Sequence, residues 1–439
     1  LAQHGSEPIR GRKVTLMLWI VALFLVFLLG VPISFSLGIV TLAGLSGSGL
    51  PLQVVVQRMF TGADNFAFVA IPLFILAGNL MAVGGISKRI TSFADMLVGH
   101  WPGGLGMVAI VASMIFAAVT GSAIAATAAI GAILISEMIV KGYSRPYAAA
   151  LVATAGSIGP IIPPSIPLVV YGVIVSSSIA KLFMGGVIPG ILMGVFLMIA
   201  NWRISKVRGY VGREKKAKWS EICQGLRDAV LALLMPIIII GGIVGGIFTP
   251  TESAAIAVAY ALVLGGLIYR ELSWRSLAKA FVDAAVTTGV ILTVLMTANL
   301  FIWFMTVKMI PQSIAQSLLS VISSKWGALM VMNIILLIAG TFIDTTSAIT
   351  IFVPLFLPLV QTFGIDLIHF GVMVAVNLTI GMCTPPLGVC LFVACEIADT
   401  TLTKMFKDFI LMLIPLLILL ALITYVPSTV LWLPNVLGL

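Results

Sequence analysis

Charge is what this 439-residue sequence has least of. Asp, Glu, Lys and Arg together make up 9% of it, against roughly 25% in soluble domains. Nowhere is there a polar stretch long enough to fold as a separate soluble domain. Cysteine and histidine are also scarce. Cys223, Cys383, Cys390 and Cys395 form no C-x-x-C pair, and His4, His100 and His369 lie far apart in sequence. Small apolar thiols and isolated polar residues are therefore expected in place of a metal or redox site. No glycine-rich phosphate loop with its lysine is present, which argues against ATP-driven work by this chain alone.

What fills the chain is hydrocarbon. Hydrophobic residues make up 61% and the mean hydropathy is +1.21. Apolar stretches of bilayer-spanning length recur from end to end. The expected fold class is an all-α polytopic membrane protein with about ten transmembrane spans. They read at 14–30, 32–49, 66–84, 146–177, 183–202, 228–247, 253–269, 284–304, 367–396 and 409–432. Two further apolar segments, 106–139 and 327–363, are interrupted by "TGS" at 120–122 and "DTTS" at 344–347. Each half is short for a crossing, which takes about 20 residues, so each segment reads as a re-entrant hairpin.

The net charge of +9 reads as topology, because cytoplasmic loops collect Lys and Arg; no nucleic-acid partner is implied. The stretch 203–218, "RISKVRGYVGREKKAK", is the most basic and is placed inside. Alternation then puts Lys88, Arg89, Lys141, Arg145, Arg270, Arg275, Lys279, Lys404 and Lys407 on the same side. Arg58, Lys181, Lys308, Lys325 and an N-terminal cluster of Arg10, Arg12 and Lys13 fall outside. That cluster is the one misfit, and the chain opens on Leu1. An upstream transmembrane segment would remove both oddities.

The two halves repeat each other at a nearly constant offset. "GNL" at 78–80 faces "ANL" at 298–300, "TGSAI" at 120–124 faces "TTSAI" at 345–349, and "GPIIPP" at 159–164 faces "GMCTPP" at 381–386. With an odd number of crossings per half, the second copy is upside down. The expected organisation is a linker at 1–13, a first inverted repeat at 14–202, a basic linker at 203–227 and a second repeat at 228–439. The first repeat holds hairpin 106–139 and broken helix 146–177; the second holds hairpin 327–363 and broken helix 367–396.

Inverted repeats with helices broken at matching places are the sequence signature of secondary transporters. Proline lacks a donor and breaks the helical ladder, and irregular backbone at membrane depth survives only inside protein or along a wet cavity. A break there frees carbonyls for a cation, while neighbouring helix N-termini attract an anion. A proline kink with no ligand is the competing reading. Hydroxyls cluster at these places: Thr120, Ser122, Thr127, Thr154, Ser157 and Ser165 in one half, Thr345, Thr346, Ser347 and Thr384 in the other. Helix packing or back-bonding accounts for Thr127. Asn79 and Asn299 are expected to make interhelical hydrogen bonds. Asp344, the carboxylate at a hairpin tip, is either a functional intramembrane acid or a helix cap. Glu252, in "FTPTESAA", is expected to cap a helix start. No arginine falls in the membrane core, so an anionic solute must be met by helix dipoles, N–H groups, hydroxyls and bound cations.

"GPIIPPSIPLVVYGV", "GGIFTPTESAA", "TFIDTTSAI" and "NLTIGMCTPPLGVCLFVA" together resemble the large membrane (M) subunit of the tripartite ATP-independent periplasmic (TRAP) transporters, from about residue 14 onward. The resemblance implies an elevator-type, sodium-driven importer of the ion-transporter superfamily in the bacterial inner membrane, and no enzyme. It implies Na⁺ as coupling ion, at two sites or more. One set of backbone oxygens lies near Ala117, Thr120, Gly159, Ile162 and Pro164, the other near Gly340, Thr345, Gly381, Thr384 and Leu387. The family often has serine at the first tip, where this chain has Ala117 and Thr120. Ser122, Ser165, Asp344, Thr346 and Ser347 are the candidates for substrate contact. Implied partners are a small membrane subunit (Q-type), a periplasmic substrate-binding protein (P-type) and membrane lipid. The implied substrate is an organic acid: a C4-dicarboxylate, a keto acid, sialic acid or another sugar acid. In some members small and large subunits are fused, which also fits the misfit N-terminus.

The nearest alternative is a proton-coupled organic-anion carrier of the same fold, without a binding protein and with Asp344 as the proton site. A membrane-embedded hydrolase lacks a histidine base at membrane depth. A pure scaffold subunit has no use for duplicated hairpins and breaks.

Overall fold

The computed structural model of the chain describes residues 19, 21–23, 25–27, 29–46, 51–320 and 322–439. The expected linker 1–13 and much of the expected span 14–30 lie outside them. The first half runs through α1 (Ile33–Ser46), α2 (Gln53–Ala63), a 3₁₀ turn (Phe66–Val69) leading into α3 (Ala70–Val83), α4 (Ile86–Val98), α5 (Gly104–Thr120), α6 (Ala123–Val140), α7 (Arg145–Gly156), α8 (Ile166–Val175) and α9 (Ile179–Arg208). The second half runs through α10 (Trp219–Val244), α11 (Pro250–Leu262) with a π-helical extension (Val263–Ile268), α12 (Trp274–Val307), α13 (Ile310–Leu319), α14 (Lys325–Gly340), α15 (Thr345–Thr362), α16 (Leu367–Gly381), α17 (Val389–Ala398), α18 (Leu402–Tyr425) and α19 (Ser428–Val436). No strand occurs among the described residues.

Eight helical stretches among the described residues are long and apolar enough to cross a membrane. The expected spans 146–177 and 367–396 are each two shorter helices, α7 with α8 and α16 with α17, because a proline loop stops the first arm. Both hairpins are present, α5 with α6 and α14 with α15. Their second arms, 18 residues each, are long enough to cross. Arm length alone therefore does not define these hairpins; their tips do. The C-terminal span 409–432 is α18 and α19, parted at Pro427.

Three helices occupy segments where no span was expected: α2, α4 and α13. The helix α4, "ISKRITSFADMLV", buries Ile86, Ile90, Phe93, Ala94 and Val98 and leaves Lys88 exposed. That is a single apolar stripe at helical period, too charged to read as a span. The opposite extreme is α9 and α12, of 30 and 34 residues. At 1.5 Å per residue they are roughly 45 and 50 Å long, beyond the ~30 Å of hydrocarbon. The surplus carries Arg203, Lys206 and Arg208 on α9 and Trp274, Arg275 and Lys279 on α12, so part of the basic stretch 203–218 is helix.

The centre of the molecule is built from the first arms of the broken helices. Every residue from Tyr147 to Gly156 and from Ile368 to Gly381 is buried. A helix apolar all round belongs in a protein core or in hydrocarbon, and here protein surrounds it. The two broken helices cross: α7 packs on α17, and α8 on α16. The Tyr171 hydroxyl donates to the Leu367 carbonyl at 2.6 Å. Around this centre α12 packs on α1, α2 and α3, α4 on α10, and α9 on α18 and α19. Asn79 donates to the Ala280 carbonyl across α3 and α12, and Asn299 stands against Gly62. Glu252 closes a capping box with Thr249 at the start of α11.

The basic ends of both halves are laced together. Arg208 pairs with Asp408. Arg145 reaches Asp399 at 3.0 Å and the Ala398 carbonyl at 3.1 Å, closing the end of α17. The turn after α9 is pinned to the start of hairpin one, with Gly103 N–H donating to the Tyr210 carbonyl and Arg213 N–H to that of Gly99. Tyr143 and Tyr210 stack with ring centroids 4.2 Å apart. Burial pushes the Tyr143 phenol up to about 12, so it stays neutral at physiological pH.

Candidate functional site

Each hairpin tip is made by its own punctuation. Gly121 adopts φ 60 and gives its N–H to the Ala117 carbonyl, which ends α5; Ser122 then caps α6 by accepting from Ala125 N–H. At the second tip α14 ends on Gly340, and the turn is longer. Asp344 caps α15, its carboxylate accepting from Ser347 N–H at 3.1 Å and from the Ser347 hydroxyl at 2.5 Å. Asp344 thus fills the structural one of its two expected roles, the cap.

The breaks are equally specific. Ser165 donates to the Pro160 carbonyl and accepts from Leu168 N–H, bridging break one while capping α8. Pro163–Pro164 and Pro385–Pro386 are both cis. Break two lacks a counterpart to Ser165 and enters α17 at Gly388, φ 41.

Tips and breaks meet within each repeat. A Cβ on Gly159 would lie 2.6 Å from the Ser122 carbonyl oxygen, and one on Gly121 2.4 Å from that of Pro164. Both glycines are needed for this approach. In the second repeat the corresponding contact is Gly381 against Gly340, and the Thr345 hydroxyl reaches Met382 Sδ at 3.0 Å. Break two in turn packs on the last turns of α7, which lead into break one, since the Cys383 thiol donates to the Ala153 carbonyl at 3.3 Å. Four C-terminal helix ends (α5, α7, α14, α16) and four N-terminal ends (α6, α8, α15, α17) therefore gather in one region. The former present unpaired carbonyls and partial negative charge, the latter N–H groups and partial positive charge.

Among the described residues, no hydrogen bond reaches the carbonyls of Gly159, Ile162 and Pro164 in break one. The same holds for Gly340, Thr384 and Leu387 around break two. Two expected oxygens are already engaged: Ala117 by Gly121 N–H at 3.0 Å, and Gly381 by Thr384 N–H at 2.7 Å. The Thr120 hydroxyl bonds back to the Phe116 carbonyl, and that of Thr384 to Ile380. Of the expected substrate side chains, Ser165 is buried and fully committed, and Ser347 is tied to Asp344. Ser122 is half-buried and keeps its hydroxyl proton free; Thr346 is buried with its hydroxyl unengaged. The two repeats also differ in access. Residues 163–165 are buried, whereas Leu387 is 46% exposed.

One polar cluster at membrane depth escaped the sequence reading. Asn377 of α16 donates to the Asn333 side chain of α14 at 2.7 Å, and Asn333 to the Thr424 hydroxyl of α18 at 2.8 Å. The Asn377 Oδ1 is buried without a partner. The available signal was a lone asparagine in each of two apolar runs, "MVMNIILL" and "VAVNLTIG". Thr127, as expected, bonds back to the Ala123 carbonyl, and Gly156 packs against it.

Residues 20–429 match the family described as "Tripartite ATP-independent periplasmic transporter, DctM component". The isethionate TRAP transporter permease protein DctMQ of Oleidesulfovibrio alaskensis is 43% identical over 93% of this chain, which spans 64% of that protein's length. The C4-dicarboxylate TRAP transporter large permease protein DctM of Rhodobacter capsulatus is 37% identical, with 95% of this chain and 98% of the relative covered. The sialic acid TRAP transporter large permease protein SiaM of Vibrio cholerae is 39% identical over 92% of this chain and 95% of its own. Among solved structures, the YdaH transporter of Alcanivorax borkumensis, described as having an unusual topology, matches with a TM-score of 0.60. The match covers 88% of this chain and 89% of that one at 14% identity, a likeness of fold alone.

Proposed function

The chain belongs to the DctM family of tripartite ATP-independent periplasmic transporter components, and from that premise we propose that it forms the pathway of a sodium-driven organic-anion importer in a bacterial inner membrane. The observation that carries this reading is the gathering of eight helix ends at the hairpin tips and breaks, with carbonyls left open in both repeats. Na⁺ takes the open oxygens: Gly159, Ile162 and Pro164 beside Ala117 and Thr120, and Gly340, Thr384 and Leu387 beside Thr345 and Gly381. The organic anion lies against the N-terminal ends of α6, α8, α15 and α17, where backbone N–H groups and the Na⁺ ions balance its carboxylate. Ser122 and Thr346 have hydroxyls available to contact it; Ser165, Asp344 and Ser347 shape the site by holding the caps.

In this reading α5–α8 and α14–α17 move as one body against the remaining helices, carrying solute and ions together. The relatives named for isethionate, C4-dicarboxylates and sialic acid support an organic acid as substrate. A small membrane subunit packs on the stationary helices, and a periplasmic binding protein delivers the solute. Commitment of the Asp344 carboxylate to a cap favours sodium over proton coupling. The test is uptake of labelled organic acids into proteoliposomes. We expect transport only with an inward Na⁺ gradient and with the small subunit and binding protein present. Full uptake by the chain alone would return the reading to an ordinary secondary carrier.

A further inference from the structure

A charged pocket of about 650 Å³ with no hairpin-tip residue in its wall is formed by Lys88, Arg89 and Ser92 of α4, Arg227 of α10, and Tyr269 and Glu271 after the π-helical turn. Its cations are not equivalent. Arg89 donates to the Gly85 carbonyl at 2.9 Å and to Glu271 at 2.7 Å, and its guanidinium lies 3.7 Å from the Tyr269 ring centroid. Gly85, at φ 77, leaves room where a Cβ would strike the Glu271 carboxylate. Arg89 is thus a fixed part of the wall. Among the described residues Lys88 and Arg227 enter no ion pair, and both are exposed. Asp228 is the other carboxylate on the wall, leaving three cations against two acids.

The height of the pocket in the membrane follows from the helices that frame it. The polar opening of α10, "WSEICQGLRD", gives way to an apolar run from Ala229, and Arg227 stands at that boundary. Trp219 and Trp274 open α10 and α12 and are 77% and 86% exposed; tryptophan is enriched at the headgroup layer. On the apolar side Leu231 lines the pocket, and Leu267, 70% exposed, lies on the helix leading into Tyr269. A soluble anion uses the cations only. A phosphate joined to acyl chains uses both the cationic rim and the exposed apolar helix faces.

We propose that this pocket binds the headgroup of an acidic phospholipid, with Lys88 and Arg227 on its phosphate and the acyl chains along α10 and α11. Basic pockets between helices at the cytoplasmic surface suit such headgroups. The bound lipid joins α4, the amphipathic helix ahead of hairpin one, to α10 and to the end of α11.

Native mass spectrometry of the full chain, released from micelles doped with phosphatidylglycerol or phosphatidylcholine, tests this. Wild-type protein retains phosphatidylglycerol in preference to phosphatidylcholine. The Lys88→Gln/Arg227→Gln double variant weakens that retention by roughly tenfold or more, while Arg227→Lys and Lys279→Gln, the latter outside the pocket wall, leave it near wild type. Unchanged retention in the double variant would overturn the site. So would displacement of the lipid by glycerol phosphate at matching concentration, which marks a soluble-anion site.

Discussion

Gly381 closes on Gly340 backbone to backbone: a Cβ added to Gly381 would stand 2.7 Å from the Gly340 Cα. Hairpin two and break two therefore touch with nothing between them, and the contact has no room for a side chain. Gly381→Val must push the tip away from the break, an overpacking of about 1–3 kcal/mol. Sodium-dependent uptake is expected to fall about tenfold or more, with membrane insertion intact. Gly159→Val, facing the Ser122 carbonyl, should behave alike. Gly289, whose Cβ would meet nothing within 4 Å, is the control, and loss of uptake in Gly289→Val would remove the steric explanation.

Asp344 should answer to its capping chemistry. Asparagine caps nearly as well as aspartate, whereas alanine loses about 1 kcal/mol. Asp344→Asn is expected to transport at close to the wild-type rate, and Asp344→Ala to melt earlier and transport less. A sodium-free pH gradient that drives uptake in wild type and fails in Asp344→Asn would make the residue a proton site.

Ser165→Ala removes the bridge across break one, leaving the buried Pro160 carbonyl and Leu168 N–H unpaired. A buried polar group without its partner costs about 1–3 kcal/mol. Thermal unfolding should shift down accordingly, and Na⁺ should protect the variant less than wild type. An unchanged melting profile would mean that the break is held some other way.

The membrane orientation is open to direct labelling. Val207, 88% exposed at the end of α9, and Ser324, exposed at the start of α14, are expected on opposite surfaces from the loop charges. Val207→Cys should react with an impermeant maleimide only from the cytoplasm, and Ser324→Cys only from the periplasm. Reaction of both from one side contradicts the inverted repeat.

Hairpins and breaks were legible because Gly, Pro and hydroxyl residues interrupt apolar runs at matching places in both halves. The same punctuation gave Asp344 as cap or functional acid, and the cap itself becomes visible only once Ser347 N–H and Oγ are placed against the carboxylate. Hydropathy could not reveal α4 or α13, since an amphipathic helix averages to loop-like polarity. Nor could it pair Asn333 with Asn377 and Thr424, whose meeting depends on three helices remote in sequence. The carbonyls of Ala117 and Gly381 were expected to be available, and local turns engage both. Turn hydrogen bonds of that kind are set by backbone dihedrals that composition does not encode.

The crossing of the broken helices bears on how the chain is made. Buried on all sides from Tyr147 to Gly156, α7 is completed by α17, which leaves the ribosome well over two hundred residues later. Through most of translation the first half thus sits in the bilayer with its central helix packed chiefly on its own hairpin, α5 and α6, and open on the side that α17 and α18 will cover. Lipid covers that open side until the second half arrives, since a helix apolar all round is also stable in hydrocarbon. The centre of the fold is thus completed only by the last third of the chain.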